Sequence, residues 1–327
     1  MTPPILAILT ALALTFALTP VVRRLAIRFD VIDHPGGRRV HERPTPRWGG
    51  LAIYFGFMGA VVVVVAITSS IRFDSQLFGI LIGGTVVAIV GLLDDKFELP
   101  AAVQAIAIIA AATVLALAGV RIRYITNPFP PHPSLVWLQM WSIPVTVIWV
   151  FGVTKTMDLM DGIDGLAAGI GAIAAGTLLI MALQAKSAQP DLARSFLTVG
   201  ILAGALLGAS LGFLRFNFPP ANIFMGTIGA QFIGFILASA SIMGAFKLAA
   251  LFAVAVPLLA LAVPIMDTAF VMLRRFIDRR PLHEADKTHV HHRLLDRGFS
   301  HRQTLLVIYG LTALLSAIGL LLFTWIK

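Results

Sequence analysis

The chain contains no cysteine, so it has neither disulfides nor thiolate metal ligands. Charged residues are scarce as well: they make up 13% of the 327 residues, against roughly a quarter in an ordinary soluble domain. Hydrophobic residues account for 58%, and the mean hydropathy is +0.91. The apolar runs do not alternate in polarity as the strands of a membrane barrel do, so an α-helical bundle is the class that fits. The sequence therefore predicts an integral membrane protein.

Ten apolar stretches approach the ~20 residues that cross a hydrocarbon core. We expect an all-α, polytopic membrane bundle of about ten transmembrane helices that forms one domain over residues 1–327, because no repeat or soluble segment interrupts it. The first stretch has no charged residue before it and no small-residue cleavage site after it, which favours an anchor over a signal peptide. The predicted spans are 4–20, 49–69, 77–93, 100–118, 143–157, 163–185, 196–214, 225–245, 248–272 and 304–326.

The distribution of Lys and Arg predicts the orientation. If the loops near 21–48, 94–99, 155–162, 215–224 and 273–303 share one side, that side carries all but seven of the 25 Lys and Arg. The positive-inside rule makes this side the cytoplasm and places both termini outside, in a multi-pass protein of the inner (plasma) membrane. The net charge of +9 then reflects topology and attraction to anionic membrane lipids. Nucleic-acid binding is not expected, because no soluble basic domain is present.

Most carboxylates also lie in or beside these loops. Ionisable groups at membrane depth are costly unless they are paired or hydrated, so this clustering predicts a water-accessible cleft on the cytoplasmic side. Asp94 and Asp95 close the third predicted span in the stretch GLLDDKFELP. Such a pair can hold Mg²⁺ or take a proton from a phosphate, and a solvated helix end is the alternative interpretation.

The stretch MDLMDGIDG places Asp158, Asp161 and Asp164 three residues apart. On a helix they would spread over roughly a 120° arc, so all three can face one cavity. Three independent surface carboxylates are the alternative. A functional role in one cavity is favoured, because the flanking spans leave almost no loop to solvate the three carboxylates.

The fourth and fifth loops carry candidate ligand-binding groups. RFNFPPANIFMG contains Asn217 and Phe224, whose ring could stack on a planar base or anchor the chain at the lipid interface. In the fifth loop, a dense cluster of donors suits a polyphosphate. A zinc site is the alternative, although the H-x-H-H spacing matches no zinc pattern and the neighbouring cations would repel a metal. The cluster consists of Lys287, His289, His291, His292 and Arg293.

Taken in order, five segments resemble the polyprenyl-phosphate N-acetylhexosamine-1-phosphate transferases of glycosyltransferase family 4. They are DHPGGRRVHERPTPRWGG, GLLDD, DLMDGIDGLAAG, FNFPPANIFMG and HVHHRLLDRG. The undecaprenyl-phosphate N-acetylglucosamine-1-phosphate branch is the most similar. The resemblance implies an enzyme that uses Mg²⁺, with Mn²⁺ as an alternative, to move a sugar-1-phosphate from a UDP-sugar to undecaprenyl phosphate at the cytoplasmic face. UMP would be released, in the first step of a cell-envelope glycan pathway.

Residue by residue, the resemblance assigns roles to most of the groups above. The catalytic carboxylates would be Asp94, Asp95 and Asp161, with Asp95 also supporting the metal. The substrate-binding residues would be Arg39, Asp164, Asn217, Phe224, His289, His291, His292 and Arg293. A homodimer is compatible with the sequence but nothing in it requires one.

The chain also departs from the family pattern. Thr227 stands where the family has the aspartate that is its principal magnesium ligand, and Ala230 stands where serine is usual. Lys155 and Asp158 replace asparagines, and no lysine follows the aspartate pair near Gln104. We hypothesise that Asp158 supplies the carboxylate that position 227 lacks.

Two other functions stay open at this point. One is a homologue that binds lipid phosphate or nucleotide without turnover. The other is a carboxylate-dependent transporter, although Asp267 is the one acidic residue deep in a predicted span.

Overall fold

The computed structural model describes residues 2–34, 44–68, 71, 73–127, 134–185, 189–245, 261–277 and 290–325. Helices form most of this part of the chain. They are α1 (Pro3–Arg28), α2 (Gly49–Thr68), α3 (Ser75–Phe97), α4 (Ala101–Leu117), α5 (Ser142–Met160), α6 (Leu166–Gln184), α7 (Pro190–Asn217), α8 (Gly226–Ala245), α9 (Ala262–Ile277), α10 (Val290–Asp296) and α11 (His301–Trp325). Two short antiparallel pairs lie between helices: β1 (Ile32–Asp33) with β2 (Thr45–Pro46), and β3 (Tyr124–Asn127) with β4 (Ser134–Trp137).

The predicted all-α, multi-pass membrane class is confirmed. Within the described ranges, eight helices are long and apolar enough to cross a membrane, and α4 is a shorter apolar helix. The predicted span 248–272 falls mostly outside the described residues. Its described end belongs to α9, a 16-residue helix that carries Asp267, Arg274 and Arg275 among its apolar residues.

The ends of α3 show how local chemistry sets helix boundaries. Asp74 precedes the helix, and its carboxylate accepts the backbone N–H of Leu77 at 2.8 Å, an N-cap contact. At the other end, Glu98 adopts a left-handed conformation with φ of 50° and donates its N–H to the carbonyl of Asp94 at 2.8 Å. The helix therefore stops just beyond the aspartate pair, which leaves both carboxylates at its last turn.

Helix α8 lies at the centre of the bundle. Of the stretch Gly226–Met243, 89% is buried, against 28% of the apolar windows of α1 and α11. It contacts α2, α3, α5, α6 and α7. A helix that is apolar on every side is expected in such an enclosed position. The N-terminus of α8 is thus fixed in the middle of the bundle.

The polar loops meet at one end of the bundle. Residues at the last turns of α1, α3, α5 and α7 and at the first turn of α11 line a common cavity there. At the opposite end, Pro4 lies against Gly200 of α7, and Phe323 packs on Met181 of α6. The beginning of α1 and the end of α11 therefore share the end that faces away from the cavity, as expected. Their placement outside the cell stays a prediction.

Small residues let α1 and α7 approach closely. A Cβ atom added at Gly208 would meet the carbonyl oxygen of Ile8, and one added at Gly212 would lie 2.7 Å from that of Leu12. Glycines at such spacing allow two membrane helices to pack backbone to backbone. The contact holds α1 against the core although most of its surface faces outward.

We expect Gly208→Ala to lower stability by about 1–3 kcal/mol, because the added methyl group meets backbone that cannot move aside. The measurement is the melting temperature of the purified protein in detergent. Gly152→Ala in α5 is the matched control, since nothing lies within 4 Å of a Cβ at that position. Equal melting temperatures for the two variants would contradict the α1–α7 packing.

Candidate active site

A cavity of about 1010 Å³ opens at the loop-rich end of the bundle. Its volume lies at the upper end of the range for small-molecule sites, about 300–1,000 Å³. The described side chains around it are strongly charged and of both signs. The acidic ones are Asp33, Asp95, Asp158, Asp161 and Asp164, and the basic ones are Arg23, Arg47, His301 and Arg302.

Asp95 ties the end of α3 to the beginning of α8. Its Oδ1 accepts the backbone N–H of Thr227 at 2.8 Å, and its Oδ2 accepts that of Ile228 at 3.4 Å. These are N–H groups of the first turn of α8, which have no partner inside the helix and carry its positive dipole end. Gly226 adopts a left-handed φ of 74°, and a side chain there would collide with the Asp95 carboxylate. Asp95 is therefore both a cavity residue and the cap of the central helix.

Asp94 points away from this cavity, toward α4. Its Oδ1 accepts a hydrogen bond from Gln104 Nε2 at 2.7 Å. Adjacent residues on a helix are about 100° apart, so the two carboxylates of the pair face different neighbours. Asp94 is not among the described residues that line the cavity.

The three aspartates of MDLMDGIDG line the same cavity, although not through the helical arc expected from their spacing. They do not share one helix, because α5 ends at Met160 and α6 begins at Leu166. Asp164 Oδ2 accepts the backbone N–H of Ala221 at 2.9 Å. Asp158 forms an ion pair with Lys155, one turn earlier on α5.

Asp161 differs from the other two. No residue that the structure describes donates a hydrogen bond to its carboxylate. Burial raises the pKa of Asp161 to about 8, and the charges of Asp158, Asp95 and Asp164 add to this effect while Arg47 opposes it. Because burial and the neighbouring carboxylates both disfavour the negative charge of Asp161, a cation that displaced its proton would relieve this cost.

Asn217 and Phe224 belong to the segment that closes the cavity between α7 and α8. Asn217 is buried: its Oδ1 accepts the N–H of Gly165 at 2.9 Å, and its Nδ2 donates to the carbonyl of Ile223 at 3.0 Å. Phe224 is joined through its backbone to β2, since its N–H donates to Pro46 O at 2.8 Å. Asn217 thus fixes the two loops that present Asp164 and Phe224. Direct contact of Asn217 with a ligand stays a prediction.

Three arginines at the cavity did not emerge from the sequence as site residues. Arg23 Nε donates to Asn222 O at 3.0 Å, and Arg302 Nε donates to Pro219 O at 3.1 Å. Arg47 pairs with Asp33 at 3.0 Å. In the sequence these residues are indistinguishable from the positive-inside excess of Lys and Arg. The structure distinguishes Arg23 and Arg302 by their contacts with the 217–226 segment, and Arg47 by its place in the cavity wall.

The histidine cluster is described only in part. Arg39 and His289 lie outside the described residues, as does the side chain of His292. His291 is 1% exposed and packs beneath Gly162 of the aspartate loop. Arg293 is placed near Asp267, with Nη2 3.8 Å from Oδ1, and over the ring of Phe270. Neither His291 nor Arg293 is among the described residues of the cavity wall.

Asp267 explains how α10 is held. Its Oδ1 accepts the backbone N–H of Val290 at 2.8 Å, at the first residue of α10. The Asp267 carboxylate, which lies deep in a predicted span, therefore attaches α10 to α9. This contact gives Asp267 a structural partner within the described chain.

The side chains around the cavity determine how a divalent cation could be held there. Among the described residues, no group of three or more His, Asp or Glu side chains is arranged to hold a metal by itself. Mg²⁺ is commonly held by one or two carboxylates together with water and substrate phosphates. Asp161 fits that mode, because it faces the cavity and its carboxylate is not engaged by described donors. Asp95 and Asp158 already have protein partners, so their role as metal ligands stays a prediction.

Comparison with known proteins agrees with the motifs. Residues 77–245 match the family model described as glycosyl transferase family 4. The chain is 35% identical over 306 residues to a "probable undecaprenyl-phosphate N-acetylglucosaminyl 1-phosphate transferase" of Bacillus subtilis (strain 168), which covers 93% of this chain and 81% of that relative. It is 35% identical over 316 residues to a decaprenyl-phosphate N-acetylglucosaminephosphotransferase of Mycolicibacterium smegmatis, covering 92% and 77%.

A phospho-N-acetylmuramoyl-pentapeptide-transferase of Rubrobacter xylanophilus is less similar, with 28% identity over 304 residues that cover 85% of this chain and 83% of that relative. The ranking follows the branch that the motifs indicate. The matched residues 77–245 run from α3 to α8. They include the Asp95 cap, the aspartate loop and the 217–226 segment, which together form most of the cavity wall.

The raised pKa of Asp161 predicts a pH-dependent stability. With a pKa of about 8 in the folded protein and about 3.9 when unfolded, the carboxyl group binds a proton in the native state that is released on unfolding. Stability should therefore fall as the pH rises from about 4 to about 8, by up to about 1.4 kcal/mol per pH unit, and level off above. Asp161→Asn should reduce this slope.

The measurement is the melting temperature from pH 5.5 to 9 in buffer with a chelator. Asp296→Asn, which removes an exposed carboxylate of α10, is the matched control and should keep the wild-type slope. Parallel curves for the wild type and Asp161→Asn would show that Asp161 is ionised in the folded protein.

Proposed function

Because the chain belongs to glycosyl transferase family 4, we propose that it transfers N-acetylglucosamine-1-phosphate from UDP-N-acetylglucosamine to undecaprenyl phosphate and releases UMP. The reaction would occur at the cytoplasmic face of the inner membrane, as the first step of a cell-envelope glycan pathway. The observation that carries the proposal is the cavity of mixed charge at one end of an apolar bundle. There a water-soluble nucleotide sugar can meet an acceptor that is held in the lipid.

The charges of the cavity suit two anionic reactants. Arg23, Arg47 and Arg302 offer guanidinium groups, which bind phosphate oxygens with charge-assisted hydrogen bonds. Arg23 and Arg302 also hold the segment that carries Phe224, so phosphate binding and the position of that ring are linked. A Mg²⁺ ion held by Asp161 would screen the diphosphate and stabilise the leaving UMP.

The proposed chemistry is a direct displacement. An oxygen of the acceptor phosphate forms a bond to the β-phosphorus, the bond from that phosphorus to the bridging oxygen breaks, and UMP leaves with the bridging oxygen. Asp94 is the candidate base. Because Asp94 faces α4, the acceptor phosphate would approach from the α3–α4 side of the bundle. A covalent intermediate on Asp94 is the alternative.

A second candidate function is binding without turnover. Two observations favour it: Thr227 offers a hydroxyl where the family pattern has a carboxylate, and Asp158 is paired with Lys155. Such a protein would retain the arginines and the aspartate loop, and hence affinity for nucleotide or lipid phosphate. The transporter alternative receives no such support, since Asp267 holds the first residue of α10.

A transfer assay separates the two functions. Purified protein is incubated with undecaprenyl phosphate and labelled UDP-N-acetylglucosamine, or other labelled UDP-sugars, with and without Mg²⁺. We expect a lipid-linked product and UMP, and a loss of about 10²–10⁴-fold in kcat for Asp94→Asn if Asp94 is the base. Asp296→Asn serves as the control of unchanged activity. Nucleotide binding without lipid-linked product under every condition would establish the second function.

Mg²⁺ should raise the melting temperature of the wild type and leave that of Asp161→Asn unchanged. The apparent affinity should increase about tenfold per pH unit up to about pH 8, because the ion must displace the proton of Asp161. Thermal unfolding at several Mg²⁺ concentrations, at pH 6, 7 and 8, measures both effects without any turnover. Equal Mg²⁺ stabilisation of both proteins would exclude Asp161 as the ligand.

A further inference from the structure

A polar cluster lies beside the cavity, between α3, α4, α5 and α8. We call it the lysine cluster; it consists of Asp94, Gln104, Lys155, Asp158 and Gln231. Its centre is the ammonium group of Lys155, which pairs with Asp158 Oδ2 and donates to Gln104 Oε1 at 3.0 Å. Asp158 also lines the cavity, so the cluster and the candidate active site share one residue.

The amide of Gln104 connects Lys155 to Asp94. Its Oε1 accepts from Lys155 Nζ and from Gln231 Nε2, both at 3.0 Å. A lysine ammonium can only donate, so the oxygen of the amide must face it. The amide nitrogen is thereby turned toward α3, where it donates to Asp94 Oδ1 at 2.7 Å. The orientation of the Asp94 carboxylate thus depends on the ammonium group of Lys155, which acts through the side chain of Gln104.

The surroundings make this cluster sensitive to the loss of one charge. The side chains of Lys155 and Asp158 are 24% and 15% exposed, and Gln231 is fully buried. In so enclosed a place, removal of one partner of an ion pair leaves an uncompensated charge, whereas removal of both does not. Without Lys155, the carboxylate of Asp158 would stand unpaired beside Asp161 and Asp95.

We propose that Lys155 is a positioning residue of the transfer reaction, which orients Asp94 through Gln104. The inference rests on the proposed transferase function, with Asp94 as the group that meets the acceptor phosphate. Lys155 itself touches neither reactant. A consequence is that Asp158 serves first as the partner of Lys155, which leaves Asp161 as the carboxylate available to a cation.

The test compares kcat, KM for UDP-N-acetylglucosamine and melting temperature in one set of variants. Lys155→Gln should lower kcat about 10–100-fold, the range seen when a supporting hydrogen-bond partner is removed, with KM changed less than about twofold. Lys155→Arg keeps the charge and should retain most of the wild-type kcat. Lys96→Gln, at an exposed lysine of α3, is the matched control and should match the wild type.

Two double variants separate positioning from mere charge balance. Lys155→Gln with Asp158→Asn removes both charges, so it should recover the melting temperature while kcat stays low. Lys155→Gln with Gln104→Lys exchanges the partners of the 3.0 Å contact and keeps an ammonium next to Asp94. This exchange should recover kcat at least about tenfold relative to Lys155→Gln alone. If Lys155→Gln alone does not fold, the kcat of each double variant is compared with that of the wild type: it should stay low when both charges are removed and approach the wild-type value in the exchange.

The outcomes are distinct. Wild-type kcat in Lys155→Gln, or recovery of kcat together with the melting temperature when both charges are removed, would overturn the positioning role while the wild type remains an active transferase. A wild type that yields no lipid-linked product would instead overturn the proposed function, and this inference with it.

Discussion

The contact between Asp95 and the N-terminus of α8 is the interaction on which the rest of the structure depends. Helix α8 is buried in the middle of the bundle, and the N–H groups of its first turn have no partner inside the helix. Asp95 supplies both acceptors from the end of α3. In addition, the carbonyls of Phe224 and Met225 accept the N–H groups of Gly49 and Gly50, which joins the start of α2 to the same place. Three helix ends are thereby fixed around one carboxylate.

The same contact limits what Asp95 can do chemically. Both oxygens of Asp95 already accept backbone N–H groups, so few of its lone pairs are left for a proton of a substrate or for a cation. Asp95 nevertheless lies at the cavity wall together with Asp158 and Asp164. Burial, and to a smaller extent the charges of these neighbouring carboxylates, raises the pKa of Asp161 to about 8. The structural role of Asp95 and the unusual state of Asp161 are therefore two consequences of one arrangement.

Hydropathy predicted the membrane-spanning parts of the helices well and the ends of the helices less well. The predicted span 49–69 corresponds to Gly49–Thr68, and 163–185 corresponds to Leu166–Gln184. By contrast, α1 continues from the predicted end at 20 to Arg28, and α7 extends beyond both ends of 196–214. Hydropathy detects the part of a helix that lies in hydrocarbon, whereas backbone hydrogen bonds continue past it into the polar end. That extension places Arg23 and Asn217 at the cavity.

The sequence predicted many of the residues of the candidate site, but not which of them contact one another. The sequence indicated that the three aspartates of MDLMDGIDG face one cavity, because their spacing is local. It could not show that Asp94 and Asp95 face different helices, or that Arg302 holds Pro219, since these contacts join residues far apart in the chain. Lys155 was visible only as a departure from the family pattern. Its meaning required the position of Gln104, 51 residues away.

The departures from the family pattern are related to one another by their charges and by their positions in the structure. Relative to that pattern, Thr227 removes a negative charge and Asp158 adds one, while Lys155 adds a positive charge and the missing lysine near Gln104 removes one. The changes cancel in net charge. Lys155 contacts both Asp158 and Gln104, and the backbone N–H of Thr227 is bonded to Asp95, the neighbour of Asp94. A site that must bring two anions together depends on its total charge more than on which helix carries each group. The altered residues are therefore compatible with a site of unchanged net charge.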